Sequence, residues 1–211
     1  MAKKKLGKME KPAADDFKAG RKLFFVPLIF TPGKPEPHLQ ELIEKYWQQS
    51  QEQVTKLADK LAQVSRVYHE LVTSGGKEGA EAISQMSNGS HRMVKDILNR
   101  GAELQPIEDG EVLLEFGDWS RCLAIGLQSQ KAFTFVYKSL LEIQKKRNEQ
   151  IIRRIDETLK GDEVGLLLMR EGHQLQFPAD VQVFYIAPPS LDEIRRWLME
   201  HQTSPQAEKG D

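Results

Sequence analysis

The run Lys22-Leu-Phe-Phe-Val-Pro-Leu-Ile-Phe30 constrains the fold more than any other part of the chain. It is almost wholly apolar and rich in strand formers. A strand with one buried face alternates apolar and polar side chains, whereas an unbroken apolar run needs cover on both faces. The chain is therefore expected to fold in layers, with helices packed on a sheet. Pro27 lacks the N–H that a ladder needs, so the run is expected at a sheet edge or a bulge. Residues 23–30 are also the longest apolar stretch, far short of the roughly 20 residues that a membrane span needs.

Beyond the turn-rich Thr31-Pro-Gly-Lys-Pro-Glu-Pro37 the periodicity changes. Ile43, Trp47, Ser50, Val54, Leu57, Leu61, Val64, Tyr68 and Leu71 are spaced alternately by four and three. That heptad seam predicts one helix over 39–72, about 50 Å long at 1.5 Å per residue. Residues 119–160 hold no proline and a single glycine, Gly126. Their stripes Phe133, Val136, Leu140, Ile143 and Ile151, Ile155, Leu159 predict two helices or one kinked helix. Residues 39–72 and 128–160 are expected to pair as a helical hairpin arm. Alternatively, the heptad helix pairs with a second copy and makes a homo-oligomer.

Between these segments, 73–79 is a break, followed by short helices over 78–86 and 90–100. A strand over 102–107, an amphipathic segment over 111–116 and Asp118 as the next N-cap complete the middle of the chain. Strands are expected over 164–169 and 181–186, before the capping box Ser190-Leu-Asp-Glu193 opens a helix to about His201. The fold class is α/β or α+β, helix-dominated, with a small mixed sheet. Residues 22–201 form one domain, with a flexible basic arm at 1–21 and a flexible tail at 202–211.

Lys and Arg number 30 against 31 Asp and Glu, a net charge of -1 that gives no general polyanion signal. The basic arm has no arginine cluster and only one aromatic, Phe17, which argues against nucleic acid as its partner. Cys122 is the only cysteine, so neither an intrachain disulfide nor a cysteine-based zinc site is expected. It is expected as a buried, inert thiol in a helix. No apolar segment follows the basic start, so a cytoplasmic address is expected. There is no phosphate loop, dinucleotide fingerprint or nucleophile elbow. His38, His69, His91, His173 and His201 are scattered without the spacing of a zinc helix, and His69 and His201 are expected in solvent.

One cluster carries chemistry. Met169-Arg-Glu-Gly-His173 follows directly on a buried strand, where α/β sheets place ligands. Glu171 and His173 could serve acid–base or metal chemistry there. Upstream, Lys146-Arg147-Asn148 opens an apolar helix that leads into the strand over 164–169 and then Gly172-His173. In residues 140–187 this order resembles the C-terminal part of TraB/PrgY-like proteins, within the TIKI/ChaN/erythromycin-esterase-like clan. The resemblance implies that Arg147, Asn148 and His173 contribute to a hydrolytic or metal site.

The chain departs from that pattern in two places. Thr31-Pro-Gly-Lys-Pro-Glu-Pro-His38 keeps Glu36 and His38 but lacks the family's first histidine motif, and Lys146 stands where an acidic residue usually precedes the Arg-Asn pair. The leading expectation is a non-catalytic binding or assembly protein with a small-anion pocket near His173. The alternative is a metal-assisted hydrolase. In it His38 and His173 hold a divalent metal, Glu36 or Glu171 is the base and Arg147 is the clamp.

Overall fold

Alternate residues of the first strand enter two different cores, and that sets the architecture. The computed structural model describes residues 20–31, 33–86 and 89–202. In β1 (Arg21–Pro27), Phe24 and Val26 join one apolar cluster while Leu23 and Phe25 join another. β4 (Val164–Met169) divides the same way, with Val164, Leu166 and Leu168 on one face and Leu167 and Met169 on the other. Each fully buried side chain of this size contributes about 1.5–3 kcal/mol, so these two strands anchor the fold. With β2 (Val64–His69), β3 (Glu103–Gln105) and β5 (Val181–Tyr185) they form a five-stranded sheet in the order β3-β2-β4-β1-β5. Every pairing is parallel, so the sheet is not the mixed one expected.

β1 is central, not an edge, and Pro27 fits for a reason of register. Ile186 N–H donates to the Phe25 carbonyl at 2.8 Å, so Phe25 turns its backbone groups toward β5. Pro27 has the same parity and faces the same side, where β5 has already ended. No ladder bond is lost, and the Pro27 carbonyl accepts the buried Tyr46 hydroxyl at 2.6 Å.

α1 (Pro37–Lys60), α2 (Gly76–Gln85), α3 (His91–Asn99) and α6 (Pro189–Gln202) cover the face of Phe24 and Val26. α5 (Gln130–Thr158) covers the other through Ile151, Ile155 and Leu159 beyond its end. The result is an α/β fold dominated by helix. Residues 39–72 are not one helix. α1 ends at Lys60, and Val64-Ser-Arg-Val-Tyr-His69 pairs with β3 and β4. The seam residues Ile43, Leu57 and Leu61 pack on the sheet's core instead of on a coiled-coil partner. α1 lies beside α6, with Lys45 bonded to Glu193 at 2.9 Å.

The helical hairpin of this protein is α4 (Gly110–Ala124) with α5, not residues 39–72 with 128–160. α4 begins earlier than expected: Asp109, not Asp118, is its N-cap, and Asp109 accepts the N–H groups of Glu111 and Val112. Asp118 lies inside the helix. Val112, Val136 and Ile143 are buried, yet belong to neither sheet cluster. α4 and residues 130–146 of α5 therefore form an arm, about 25 Å long at 1.5 Å per residue, that stands off the sheet.

The tails expected at 1–21 and 202–211 lie almost wholly outside the described residues. Arg21, assigned to the basic arm, instead opens β1, where Asp180 accepts from Nε at 2.8 Å and Asp156 pairs with Nη2 at 2.8 Å. No helix among the described residues is long and apolar enough to cross a membrane.

Candidate functional site

Parallel strands bring their C-terminal ends to one edge of the sheet, and the polar residues that follow β2 and β4 meet there. Glu70 directly follows β2, and Leu71 after it adopts a left-handed φ of 70°. This turn is bonded to the chain after β3: Glu108 N–H donates to the Val72 carbonyl at 3.3 Å. The Glu108 carboxylate in turn accepts the Leu71 N–H at 3.3 Å. Two carboxylates are thus delivered from two strand ends.

Arg147 of α5 reaches between them. Its Nε donates to Glu108 at 2.9 Å and its Nη2 to Glu70 at 3.0 Å, with a further bond from Nη2 to Glu108. The Phe116 ring lies 5.0 Å from the guanidinium carbon, a cation–π distance. Arg170, following β4, closes the network from outside. Its backbone N–H donates to Glu70 at 2.8 Å and its Nη2 at 2.9 Å, while its guanidinium stacks over Phe30. Burial alone would raise the Glu70 carboxyl, but the bonds from Arg170 and Arg147 outweigh it and hold it below the usual carboxylate range. Arg147 is only 3% exposed and Glu70 1%. The three buried charges, Glu70, Glu108 and Arg147, are balanced by the exposed Arg170.

A cleft of about 350 Å³ opens over this network, lined among others by Gln144, Arg147, Asn148, Arg170, Glu171 and His173. His173 is half-buried in the loop between β4 and β5. Its ring packs against Phe25 with centroids 4.7 Å apart, and its Nδ1 accepts the Leu175 N–H at 3.2 Å. That bond fixes the neutral tautomer with the proton on Nε2. Burial lowers the His173 pKa, opposed only by the charge of Glu70, so the ring is neutral at pH 7. Gly172 before it has a φ of 81°, a left-handed turn that a side chain would strain. Glu171 bonds to Tyr185 and Arg195, and these bonds hold its carboxyl low against the effect of burial. A carboxylate so held is a weak base.

Of the residues read from the sequence, Arg147, Asn148, Glu171 and His173 share this cleft. Glu36 and His38 do not line it. They sit exposed at the start of α1, so the pairing of His38 with His173 around a metal is not assembled. Among the described residues no three His, Cys, Asp or Glu side chains gather to hold a metal ion. Arg147 is not a free clamp. Its bonds go to Glu70 and Glu108.

Glu70 and Glu108 were not foreseen. Recognising a strand in Val-Ser-Arg-Val-Tyr-His would have placed Glu70 at a strand's carboxyl end; nothing local marks Glu108. His69, expected in solvent, is fully buried. Its Nδ1–H donates to the Glu70 carbonyl at 2.6 Å and its Nε2 accepts from the Ser90 hydroxyl at 2.9 Å. Burial depresses its pKa to about 4. Cys122 lies half-buried in α4 and is not the buried thiol expected. Comparison with protein-family models, curated proteins and solved structures gives no match.

Proposed function

We propose that the protein is a non-catalytic binding and assembly protein of the cytoplasm, and that it self-associates through the α4–α5 arm. One observation carries this reading. Phe133, Tyr137 and Leu141 lie at i, i+4 and i+8 on α5 and remain 42%, 45% and 50% exposed. Leu114 and Phe135 add to the exposed apolar surface of the same arm. Such a stripe on a protruding element marks an interaction surface. The arm also has a thin core of its own, so a second hairpin would complete a four-helix bundle.

Charge selects a second copy as the occupant. α4 carries Glu111, Glu115 and Asp118 against Arg121, while the arm segment of α5 carries Lys131, Lys138, Lys145 and Lys146 against Glu142. A two-fold pairing sets the acidic α4 of each copy against the basic α5 of the other. The test is sedimentation velocity on the full chain. The expected result is a dimer that Phe133→Asp with Tyr137→Asp converts to a folded monomer. A wild type that stays monomeric at about 100 μM, well above the micromolar range of specific association, overturns the proposal.

The cleft at His173 supports a subsidiary binding role. Its charges are already paired, so it offers a ligand hydrogen-bond groups more than net charge, which weakens the expectation of an anion there. A metal-assisted hydrolase of TraB/PrgY-like kinship is the second reading, favoured by the convergence of Arg147, Asn148 and His173 on one cleft. It is the weaker one, because Glu36 and His38 stand apart and the carboxylates at the cleft are ion-paired. A stoichiometric divalent metal in the purified protein, lost in His173→Ala, would favour it.

A further inference from the structure

The cleft at the C-terminal edge of the sheet has its charges paired but not all of its hydrogen-bond groups. Arg147 uses Nε and Nη2 on Glu70 and Glu108, and Nη1 has no partner among the described residues. The rest of this side chain is buried, yet Nη1 is unpartnered without being enclosed, and the cleft is where Arg147 comes to the surface. His173 repeats the pattern. Its Nδ1 accepts the Leu175 N–H, which leaves Nε2–H as a neutral donor that is likewise unpartnered and accessible.

α5 supplies a different kind of group. Gln144 and Asn148 stand one turn apart and both line the cleft. Gln144 Nε2 donates to Asn148 Oδ1 at 2.7 Å. That bond leaves Gln144 Oε1 and Asn148 Nδ2 without partners among the described residues, an acceptor beside a donor. Turning both amides over exchanges the two roles and leaves the same pair. Glu70, Glu108, Arg147 and Arg170 cancel in charge, and Glu171 is matched by Arg195. An ion entering such a site loses its hydration and meets no net countercharge. An uncharged group with its own acceptor and donor meets partners for both.

We propose that this cleft binds a small uncharged amide, a carboxamide or a lactam. The inference rests on the subsidiary binding role given to the cleft above and names its ligand class. The carbonyl oxygen of the amide accepts from Arg147 Nη1 and from His173 Nε2–H, and its N–H donates to the free acceptor of the Gln144–Asn148 pair. Phe116 and Leu141 give the ligand's body an apolar wall. The volume of about 350 Å³ is at the lower end of the range of small-molecule sites, room for a ring and its amide. A carboxylate of the same shape has no N–H for the acceptor, and an amidinium has no carbonyl for the donors.

Benzamide, benzoate and benzamidine share one shape and differ in charge, so titrating each into the nitrogen-15-labelled full chain, followed by NMR, tests the site. The expected result is saturable shifts from benzamide at Gln144, Asn148 and His173, with affinity at least roughly fivefold above either charged analogue, the effect of one hydrogen bond. Asn148→Leu and His173→Phe should each weaken benzamide binding by roughly the same factor. Both side chains are only half-buried, and each replacement keeps much of the original volume, so the fold is retained. A charged analogue that binds at the cleft as tightly as benzamide, or more tightly, overturns the amide assignment and leaves the cleft's binding role standing. Benzamide affinity unchanged in both variants overturns the assignment as well. No saturable shift from any of the three up to about 20 mM, weak even for so small a ligand, overturns the assignment and the binding role together.

Discussion

His69 shows how one buried residue makes a fold sensitive to pH. Its folded-state pKa is about 4, against 6.5 when unfolded. The unfolded chain therefore binds the proton more readily, and stability falls as pH drops from 6.5 toward 4. The contribution at stake is about 3 kcal/mol. Above pH 5 most carboxylates remain ionised, so the window between 5 and 6.5 belongs chiefly to His69, with a smaller part from half-buried His173. Urea unfolding of the wild type should lose stability across this window, and His69→Gln should flatten the slope. An unchanged slope would mean that His69 is solvated.

The buried charges allow a sharper test at the same scale. Removing Arg147 strands Glu108, whereas Glu70 keeps its bonds to Arg170. Arg147→Met should therefore destabilise by about 3–5 kcal/mol, and Glu108→Gln in the same chain should recover most of the loss. Equal stability of single and double variants would show that the two are not coupled. None of this was legible locally, because a buried glutamate is spelled like a solvated one. The partners of Arg147 lie 39 and 77 residues away, and only the fold brings them together.

Elements were legible where their pattern had one meaning. Continuous apolar runs marked β1 and β4 as strands covered on both faces, and the capping box marked the start of α6. β2 was hidden because Val64, Tyr68 and Leu71 continue the heptad of α1 in phase, with no glycine or proline at the junction. The richer signal was the β-branched and aromatic content of 64–69. α4 was split by giving Asp118 the role that Asp109 performs.

Packing around β4 gives this scale its prediction. A Cβ on Gly165 would lie 2.9 Å from both Leu23 Cδ1 and Tyr68 Cε2 and 3.3 Å from Leu159 Cδ1. Gly165→Ala should therefore lower stability by about 1–3 kcal/mol through overpacking. A neutral or stabilising change in thermal unfolding would mean that the contact between α5 and the sheet is looser than described.

At the scale of the molecule, the sheet separates three features. A charge-balanced cleft lies at its C-terminal edge, a groove between α1 and α3 lies on the α1 face, and the arm stands away from both cores. The arm's exposed stripe is the part of the account with the widest consequence, because the self-association proposed for it would make the functional unit larger than one chain. Dimer formation also couples stability to concentration, so the thermal midpoint should rise on concentrating the protein and stop doing so in Phe133→Asp with Tyr137→Asp.

Cys122, the single cysteine, lies half-buried on α4 within the arm and offers a unique attachment point. Spin-labelling it and measuring the distance between labels by pulsed dipolar spectroscopy reads the arm-to-arm pairing directly. With an arm of about 25 Å, two-fold pairing predicts one narrow intermolecular distance below about 40 Å. A signal showing only background decay at the same concentration would contradict it.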